Sequence, residues 1–420
     1  MIKNFSCLKS LLFNVLLFLQ TVSVAQWIPL NEPAYHAPIY DLLVSDTNLF
    51  AGCGDSVYLT ADNGTSWSSV FSLEGYIVYS LVISDTNMFI GTTNTEVWTD
   101  GGVFLLPING FTWTNVSSDL PKNSIRALAV MDTNLFAGSY GGGAFRSTNN
   151  GTSWTPINNG LMDTTVNTFT VSGKNLFAGC EHGIYRSANN GASWTAADNG
   201  LTAPYVRSLF VSDTNIYAGT WGGGVFLSTN NGTTWNEINS GMPVNTSVYD
   251  FAVYGNNLFA ASDSGVFRST NNGSKWTNVS DGLPTPSQKS SRRVYSLAVC
   301  GTDLFAGTYT NNVYRRPLSE LITSVDPSSL QVPKDYNLLQ NYPNPFNPST
   351  NFEFRIAESG FVSLKVFDMT GREVATIVSK ELKAGEYIKQ WNAGHLASGV
   401  YFYRLQAGSF SQTRKLLLLK

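Results

Sequence analysis

Short apolar runs alternate with polar turns along most of the chain, at a regular interval. In one unit the runs are Val206 to Val211, Asn215 to Gly219, Gly224 to Ser228 and Trp235 to Ile238. Each is rich in Val, Ile, Phe, Tyr or Trp and bounded by turn residues, so each predicts a short strand. Leu-Phe-Ala-Gly, or a close copy, ends at Gly52, Gly91, Gly138, Gly179, Gly219, Ala261 and Gly307. Tryptophans at Trp27, Trp67, Trp113, Trp154, Trp194, Trp235 and Trp276 recur every 40 or 41 residues, with one interval of 46. A fixed period of this length marks a repeat architecture. Four antiparallel strands per unit, seven times over, predict an all-β fold, a seven-bladed β-propeller across 26–317. The repeat begins with a fourth-type strand at Trp27 and ends after a third-type strand at Arg315. The N-terminal strand is therefore expected to complete the last blade and remove an open sheet edge.

A turn recurs within the unit, and Ser147 to Trp154 shows it: Ser-Thr-Asn-Asn-Gly-Thr-Ser-Trp. Copies start at Thr60, Ser187, Ser228 and Ser269. The five copies place Asp62, Asn149, Asn189, Asn230 and Asn271 at the third position. Gly64, Gly151, Gly191, Gly232 and Gly273 stand at the fifth, and Trp67, Trp154, Trp194, Trp235 and Trp276 at the eighth. The glycine is expected at positive φ, with the Asn or Asp bonding backbone amides of the turn. The tryptophan is expected to bury against the next unit. Units two and seven lack the turn.

This pattern resembles the Asp-box, or BNR repeat, of sialidase-like propellers, and the arrangement resembles the photosystem II stability and assembly factor-like propellers of bacteria. The resemblance implies that the box is a structural turn away from the ligand face. Four of the five copies carry Asn where the family has Asp, which argues against calcium at the boxes.

From Pro317 the repeat stops. Residues 318–335 predict a linker. Residues 336–420 open on a proline-dense lead-in and continue with alternating segments around Val362–Val366, Glu373–Val378, Tyr387–Trp391, Val400–Leu405 and Phe410–Leu419. Six or seven strands in this length predict an Ig-like β-sandwich. The stretches Asn341-Tyr342-Pro343-Asn344-Pro345-Phe346-Asn347-Pro348, Gly371-Arg372-Glu373-Val374, Ala397-Ser398-Gly399-Val400-Tyr401 and Thr413-Arg414-Lys415 resemble the type A C-terminal sorting domain of the type IX (Por) secretion system. That resemblance implies a partner, the type IX machinery, engaged through 336–420. It also implies delivery to the extracellular space or outer-membrane surface of a diderm bacterium, commonly with cleavage of the domain.

The first 25 residues predict a signal peptide: Lys3 and Lys9, an apolar run from Leu11 to Leu19, then Ser23-Val24-Ala25. The run is too short to span a bilayer, so no transmembrane anchor is expected in the mature protein. Charged residues are only 13% and the net charge is −3, without a long basic run, which argues against nucleic acid as a partner. Cys53, Cys180 and Cys300 show no metal spacing, and Cys53 and Cys180 stand at one repeat position three units apart. All three are expected to be buried thiols. His36, His182 and His395 stand singly. No catalytic triad, phosphate loop or metal cluster is present, so no cofactor and no metal is expected.

Two functional expectations follow. First strands line a propeller's channel. Tyr40, Tyr79, Arg126, Asn167, Arg207, Tyr249 and Tyr295 share one position in them and should ring one mouth. Loops nearby add Glu181, His182, Trp221, Asp263 and Tyr309. Aromatic rings and arginines characterise binding hot spots. The expectation is an exported surface or secreted binding or adhesion propeller, without catalysis, taking carbohydrate or protein there. The alternative is a sialidase-like or other carbohydrate-active hydrolase. By the family resemblance it would need an arginine cluster, a tyrosine nucleophile and an acidic partner. Arg146, Arg186, Arg268 and Arg315 occupy one repeat position in separate units, so they should ring the structure without converging.

Overall fold

The computed structural model describes all residues except 1–25, 31–36, 96–100, 109, 111, 122–123, 285–291, 310–311, 323–334, 342–343, 345, 383, 395 and 420. The expected signal peptide, most of the expected linker, His36 and His395 lie outside the described residues. Seven four-stranded antiparallel sheets carry the repeat, and six of them run in sequence order from their first strand. The first strands are Ile39–Ser45, Tyr76–Ser84, Ile125–Met131, Val166–Ser172, Val206–Ser212, Val248–Tyr254 and Val294–Cys300. They define blades 1 to 7. Each touches the first strand of both neighbours, blade 7 meeting blade 1, so these strands are innermost and the ring is closed.

Closure uses the N-terminus. Ile28–Pro29 pairs antiparallel with Val313–Pro317 as the fourth strand of blade 7, Ile28 opposite Arg315 and Pro29 opposite Tyr314. Pro29 is tolerated because this is an outer edge, where no further ladder needs its missing N–H.

Six of the seven fourth strands are only two residues long, shorter than expected; that of blade 1, Ser68–Ser72, has five. In blade 5 the strand is Asn236–Glu237, with Ile238 N still donating to Val225 O at 3.0 Å, and it starts after Trp235 because that residue is engaged elsewhere. Its N–H donates to Asn199 O at 2.9 Å and its Nε1 to Ala197 O at 2.7 Å, both behind it in blade 4. This corrects the expected direction of tryptophan burial: the ring packs on the preceding blade. Trp154, Trp194 and Trp276 repeat the bond to Val116, Ile157 and Ile238 at 2.6–2.7 Å. Trp27 does the same to Val279 O at 2.7 Å, standing where blade 7 would carry its own box tryptophan. Gly241 lies under such a latch. A Cβ there would sit 2.1 Å from Trp276 O, and its φ is +94°, so the close approach requires glycine.

A helix, Leu318–Ile322, stands where the linker was expected to begin. Leu318 and Leu321 are buried with Trp27, Phe259 and Leu304 in the core between blades 6 and 7. The described residues form two compact units, one ending at Ile322 and one beginning at Asp335.

The second unit is a β-sandwich. One sheet holds Asn337–Leu338, Ser349–Ile356 and Gly385–Asn392. The other runs Glu373–Leu382, Gly360–Phe367, Gly399–Ala407, Phe410–Leu418. Phe352, Phe354, Val362, Leu364, Val366, Tyr403 and Leu405 fill the space between them. The motif residues brace this fold. Asn341 N donates to Tyr403 Oη at 2.7 Å, Leu417 N to Asn344 Oδ1 at 2.9 Å, and Arg372 N to Asp368 Oδ1 at 3.0 Å in the turn where Gly371 holds φ +83°. Arg414 Nε donates to Leu338 O. No helix among the described residues is long and apolar enough to cross a membrane.

Candidate functional site

Every first strand breaks register at one residue: between Ile39 and Asp41, Val78 and Ser80, Ile125 and Ala127, Val166 and Thr168, Val206 and Ser208, Val248 and Asp250, Val294 and Ser296. The skipped residues are Tyr40, Tyr79, Arg126, Asn167, Arg207, Tyr249 and Tyr295. A bulge leaves one residue outside the ladder and re-aims its side chain. In each blade the preceding Ile or Val is 0% exposed and anchors the core, while the bulged residue is half-buried on the channel side.

The seven side chains divide by chemistry. Tyr79, Tyr40, Tyr295 and Tyr249 form a continuous arc over blades 2, 1, 7 and 6, with successive ring centroids 4.5, 4.9 and 5.0 Å apart. Burial, then the neighbouring Tyr79 and Tyr295, push the Tyr40 hydroxyl far above its ordinary pKa, so it stays neutral. Blades 3 to 5 carry the polar side. Arg126 Nη1 donates to Asn167 Oδ1 at 3.2 Å, and Asn167 Nδ2 to Val206 O at 3.0 Å. The charge of Arg207 reaches tyrosines on both flanks. Burial raises Tyr79 and Tyr249, and Arg207 is among the charges opposing the rise in each.

Three arginines lie against aromatic rings at this mouth. Arg126 covers Tyr140 with its Cζ 4.1 Å from the centroid. Arg207 lies between Tyr205 and Trp221 at 4.8 and 4.6 Å. Arg293 faces Tyr249, Tyr295 and Tyr309 at 5.5–5.8 Å and donates to Tyr295 Oη at 3.2 Å. Tyr140, Trp221 and Tyr309, at one repeat position in blades 3, 5 and 7, stay 41, 49 and 41% exposed. Arg293, Tyr140 and Tyr205 were not singled out from the sequence. Arg293 stands two residues before its blade's bulge, off the repeated position, and only the turn geometry brings each ring to its arginine.

Two carboxylates lie just behind the bulges. Asp41 Oδ2 accepts Leu81 N at 2.7 Å from blade 2, and Asp250 Oδ2 accepts Leu297 N at 2.8 Å from blade 7. Each fills a backbone donor freed by the neighbouring bulge. Burial raises Asp41 to about 6 and Asp250 to about 7, the charge of Asp41 adding to the second.

The other singled-out residues lie elsewhere. In the box of blade 3, Gly151 N donates to Ser147 Oγ at 2.8 Å and Ser153 N to Asn149 Oδ1 at 3.0 Å, with Gly151 at φ +80°. Asn189, Asn230 and Asn271 accept the corresponding amides. Asp62 accepts Ser66 Oγ and N, which with Thr60 holds its carboxyl down at about 2. Among the described residues no cluster could hold a metal ion. Arg146, Arg186 and Arg315 each donate Nη1 to a box carbonyl of the following blade, Asn190, Asn231 and Asn63, at 3.1–3.2 Å. Arg268, whose next blade has no box, bonds Asn257 Oδ1 instead. This series ties blades together. His182 braces a loop, its N and Nδ1 both meeting the buried Asp163 Oδ2 at 2.8 and 3.1 Å. Cys53, Cys180 and Cys300 are free and buried, and burial pushes the Cys53 thiol up to about 12.

Fold and mouth define a β-propeller with a β-sandwich tail. Residues 340–419 match the family described as the secretion system C-terminal sorting domain, and residues 139–247 match the DUF6242 β-propeller domain. The chain thus joins a propeller to a sorting domain that directs secretion to the cell surface or extracellular space. A comparison with curated proteins finds no match. Among solved structures, the extracellular domain of the one-component system BT4673 from B. thetaiotaomicron is similar at TM-score 0.58 and 16% identity, over 80% of this chain and 45% of that one. The chain spans less than half of that domain's length. YCF48 bound to D1 peptide is similar at TM-score 0.55 and 17% identity, over 71% of this chain and 96% of that one. YCF48 from Cyanidioschyzon merolae follows at 0.54 and 14%, over 70 and 99%. These identities establish likeness of fold alone.

Proposed function

We propose that the protein is an exported binding or adhesion propeller without catalysis, whose bulge-borne mouth takes a ligand bearing negative charge. In this reading, residues 1–25 direct export, 26–317 form the binding domain and 336–420 engage the type IX machinery of a diderm bacterium. The observation that carries the binding claim is Arg207. Its guanidinium lies between two rings and makes no hydrogen bond to any described residue; Nε is buried, and the two Nη groups are left for a ligand. A neighbouring fold has been solved as YCF48 bound to D1 peptide, which supports protein as well as carbohydrate as the ligand class. The test is retention of the full chain on a panel of acidic glycans and acidic peptides. Arg207→Ala should weaken retention about tenfold or more, the worth of about 1.4 kcal/mol. A panel hit indifferent to Arg207→Ala and Arg126→Ala, or a silent panel, overturns the reading.

One observation favours a second reading, a hydrolase. The Tyr205 hydroxyl donates to Glu181 Oε1 at 3.1 Å, beside Arg207. A carboxylate of this kind draws the proton from a tyrosine nucleophile. Release of reducing sugar from the panel, abolished by Tyr205→Phe, would establish it.

A further inference from the structure

We propose that a cavity between blades 1 and 2, opening on the same mouth, is a binding site for a neutral saccharide. It encloses about 440 Å³ and is bounded by the turn 53–55 of blade 1, the entry to blade 1 at Ala37 and Pro38, and the entry to blade 2 at 75–77. That volume lies at the small end of ligand pockets, room for a mono- or disaccharide. Tyr40, Tyr58 and Tyr76 line it with Asp55 and Thr95.

The walls are held by backbone bonds. Val78 N donates to Gly54 O and Leu73 N to Asp55 O, both at 2.8 Å. Thr95 donates N and Oγ1 to Gly75 O at 2.8 and 3.0 Å, leaving its hydroxyl oxygen able to accept. Asp55 Oδ1 accepts Ser56 Oγ at 2.8 Å, and Oδ2 has no hydrogen-bond partner among the described residues. A Cβ on Gly75 would meet nothing within 4 Å, so that wall is open to a ligand. The site therefore offers a carboxylate oxygen for hydroxyl donors, the Thr95 hydroxyl oxygen as an acceptor, and the apolar surface of Ala37, Pro38 and Ile77 for C–H faces.

Other ligand chemistries fit less well. Among the described residues no Lys or Arg lines the cavity, and Asp55 repels an anion. An aromatic cage for an organic cation needs free ring faces. Those of Tyr40 are taken by Tyr79 and Tyr295 at 4.5 and 4.9 Å, so Tyr58 and Tyr76 alone cannot close a cage, and the cation is kept as a rival in the test. A wholly apolar ligand would strip water from Asp55 without replacing its hydrogen bonds. The site is independent of the anion reading at Arg207.

The experiment titrates the purified full chain with methyl glucoside, methyl mannoside, methyl galactoside and cellobiose, with glucuronate and choline as rivals, by calorimetry and saturation-transfer NMR. At least one neutral saccharide should bind. Asp55→Asn should weaken it about tenfold, and Lys174→Ala, exposed on a distant turn of blade 4, should leave it unchanged. Thr95→Val removes the accepting hydroxyl and should weaken binding about threefold. It serves as the readout if Asp55→Asn fails to fold. Absence of saccharide binding, binding indifferent to the available variants, or preference for choline or glucuronate overturns the proposal. Because the acidic panel is read separately with Arg207→Ala, either reading can fail while the other stands.

Discussion

At the scale of the residue, a bulge in each first strand both exposes a side chain to the channel and frees a backbone donor on that strand. In blades 2 and 7 the donor is filled by a carboxylate, Asp41 and Asp250, at 2.7 and 2.8 Å. In blade 3 the serine hydroxyl of Ser80 fills it at 3.0 Å. The carboxylates carry a pH signature. Both are raised, to about 6 and about 7, from an unperturbed value near 4. The folded chain then holds protons that the unfolded chain releases. Their contribution to stability is present in full below about pH 4 and is lost as pH rises through 6 and 7. Asp62, Asp368 and Glu373, whose pKa values are lowered, are ionised in both states above pH 5 and do not oppose this. Thermal melts should therefore fall between pH 5 and 8. Asp250→Asn, which does not titrate, should flatten the slope whatever it does to the absolute level, since the side-chain amide supplies one acceptor for the Phe251 and Leu297 N–H groups that the carboxylate receives. An unchanged slope would refute the assignment.

At the scale of the element, the tryptophan latch decides how a blade adheres to its neighbour. Trp235 Nε1 bonds Ala197 O at 2.7 Å, whereas Trp67 Nε1 is buried without a partner among the described residues. Trp235→Phe should cost about 1–2 kcal/mol, because a buried carbonyl loses its donor. Trp67→Phe should cost at least 1 kcal/mol less, since it removes an unsatisfied donor. Urea unfolding of the two variants checks the difference, and equal losses would sink the latch argument. The latch also shows where sequence reading stops. The blades were legible because four strand signals recur with a fixed period, and the box because Asn, Gly and Trp keep fixed offsets. The ring at the mouth was legible for the same reason, as one position repeated seven times. The bulge was not, since register depends on pairing across a sheet. Nor was the direction of tryptophan burial, because a periodic pattern contacts both neighbours alike. Arg293 escaped because it stands off the repeated position, and the helix 318–322 because five residues hold no helical period.

At the scale of the molecule, the ring depends on one short segment. Ile28–Pro29 supplies only two paired residues to blade 7. The remaining hold comes from Trp27, 1% exposed, whose N donates to Asp281 O and Nε1 to Val279 O, both at 2.7 Å, and from Leu30 N to Val313 O at 3.0 Å. Trp27 thus joins blade 6 while its strand completes blade 7, as each box tryptophan joins a blade to the one before it. Loss of the indole should cost about 3–5 kcal/mol and free the edge Val313–Pro317 for pairing with another chain. Trp27→Ala is therefore expected to lower the melting temperature and to convert part of the sample into larger species by light scattering after chromatography, with a strand exchanged between copies as one outcome. Ile28→Ser, at a side chain 46% exposed, should do neither. A destabilised Trp27→Ala of unchanged mass would mean that blade 7 protects its own edge. An unaffected melting temperature would mean that the other blade contacts alone hold the ring. The same closure bears on the mouth, because Tyr295 of blade 7 bridges Tyr40 and Tyr249 across the seam at 4.9 and 5.0 Å. If the seam sets the arc, Trp27→Ala should also weaken whatever ligand the mouth retains, although Trp27 is not one of the side chains that ring it.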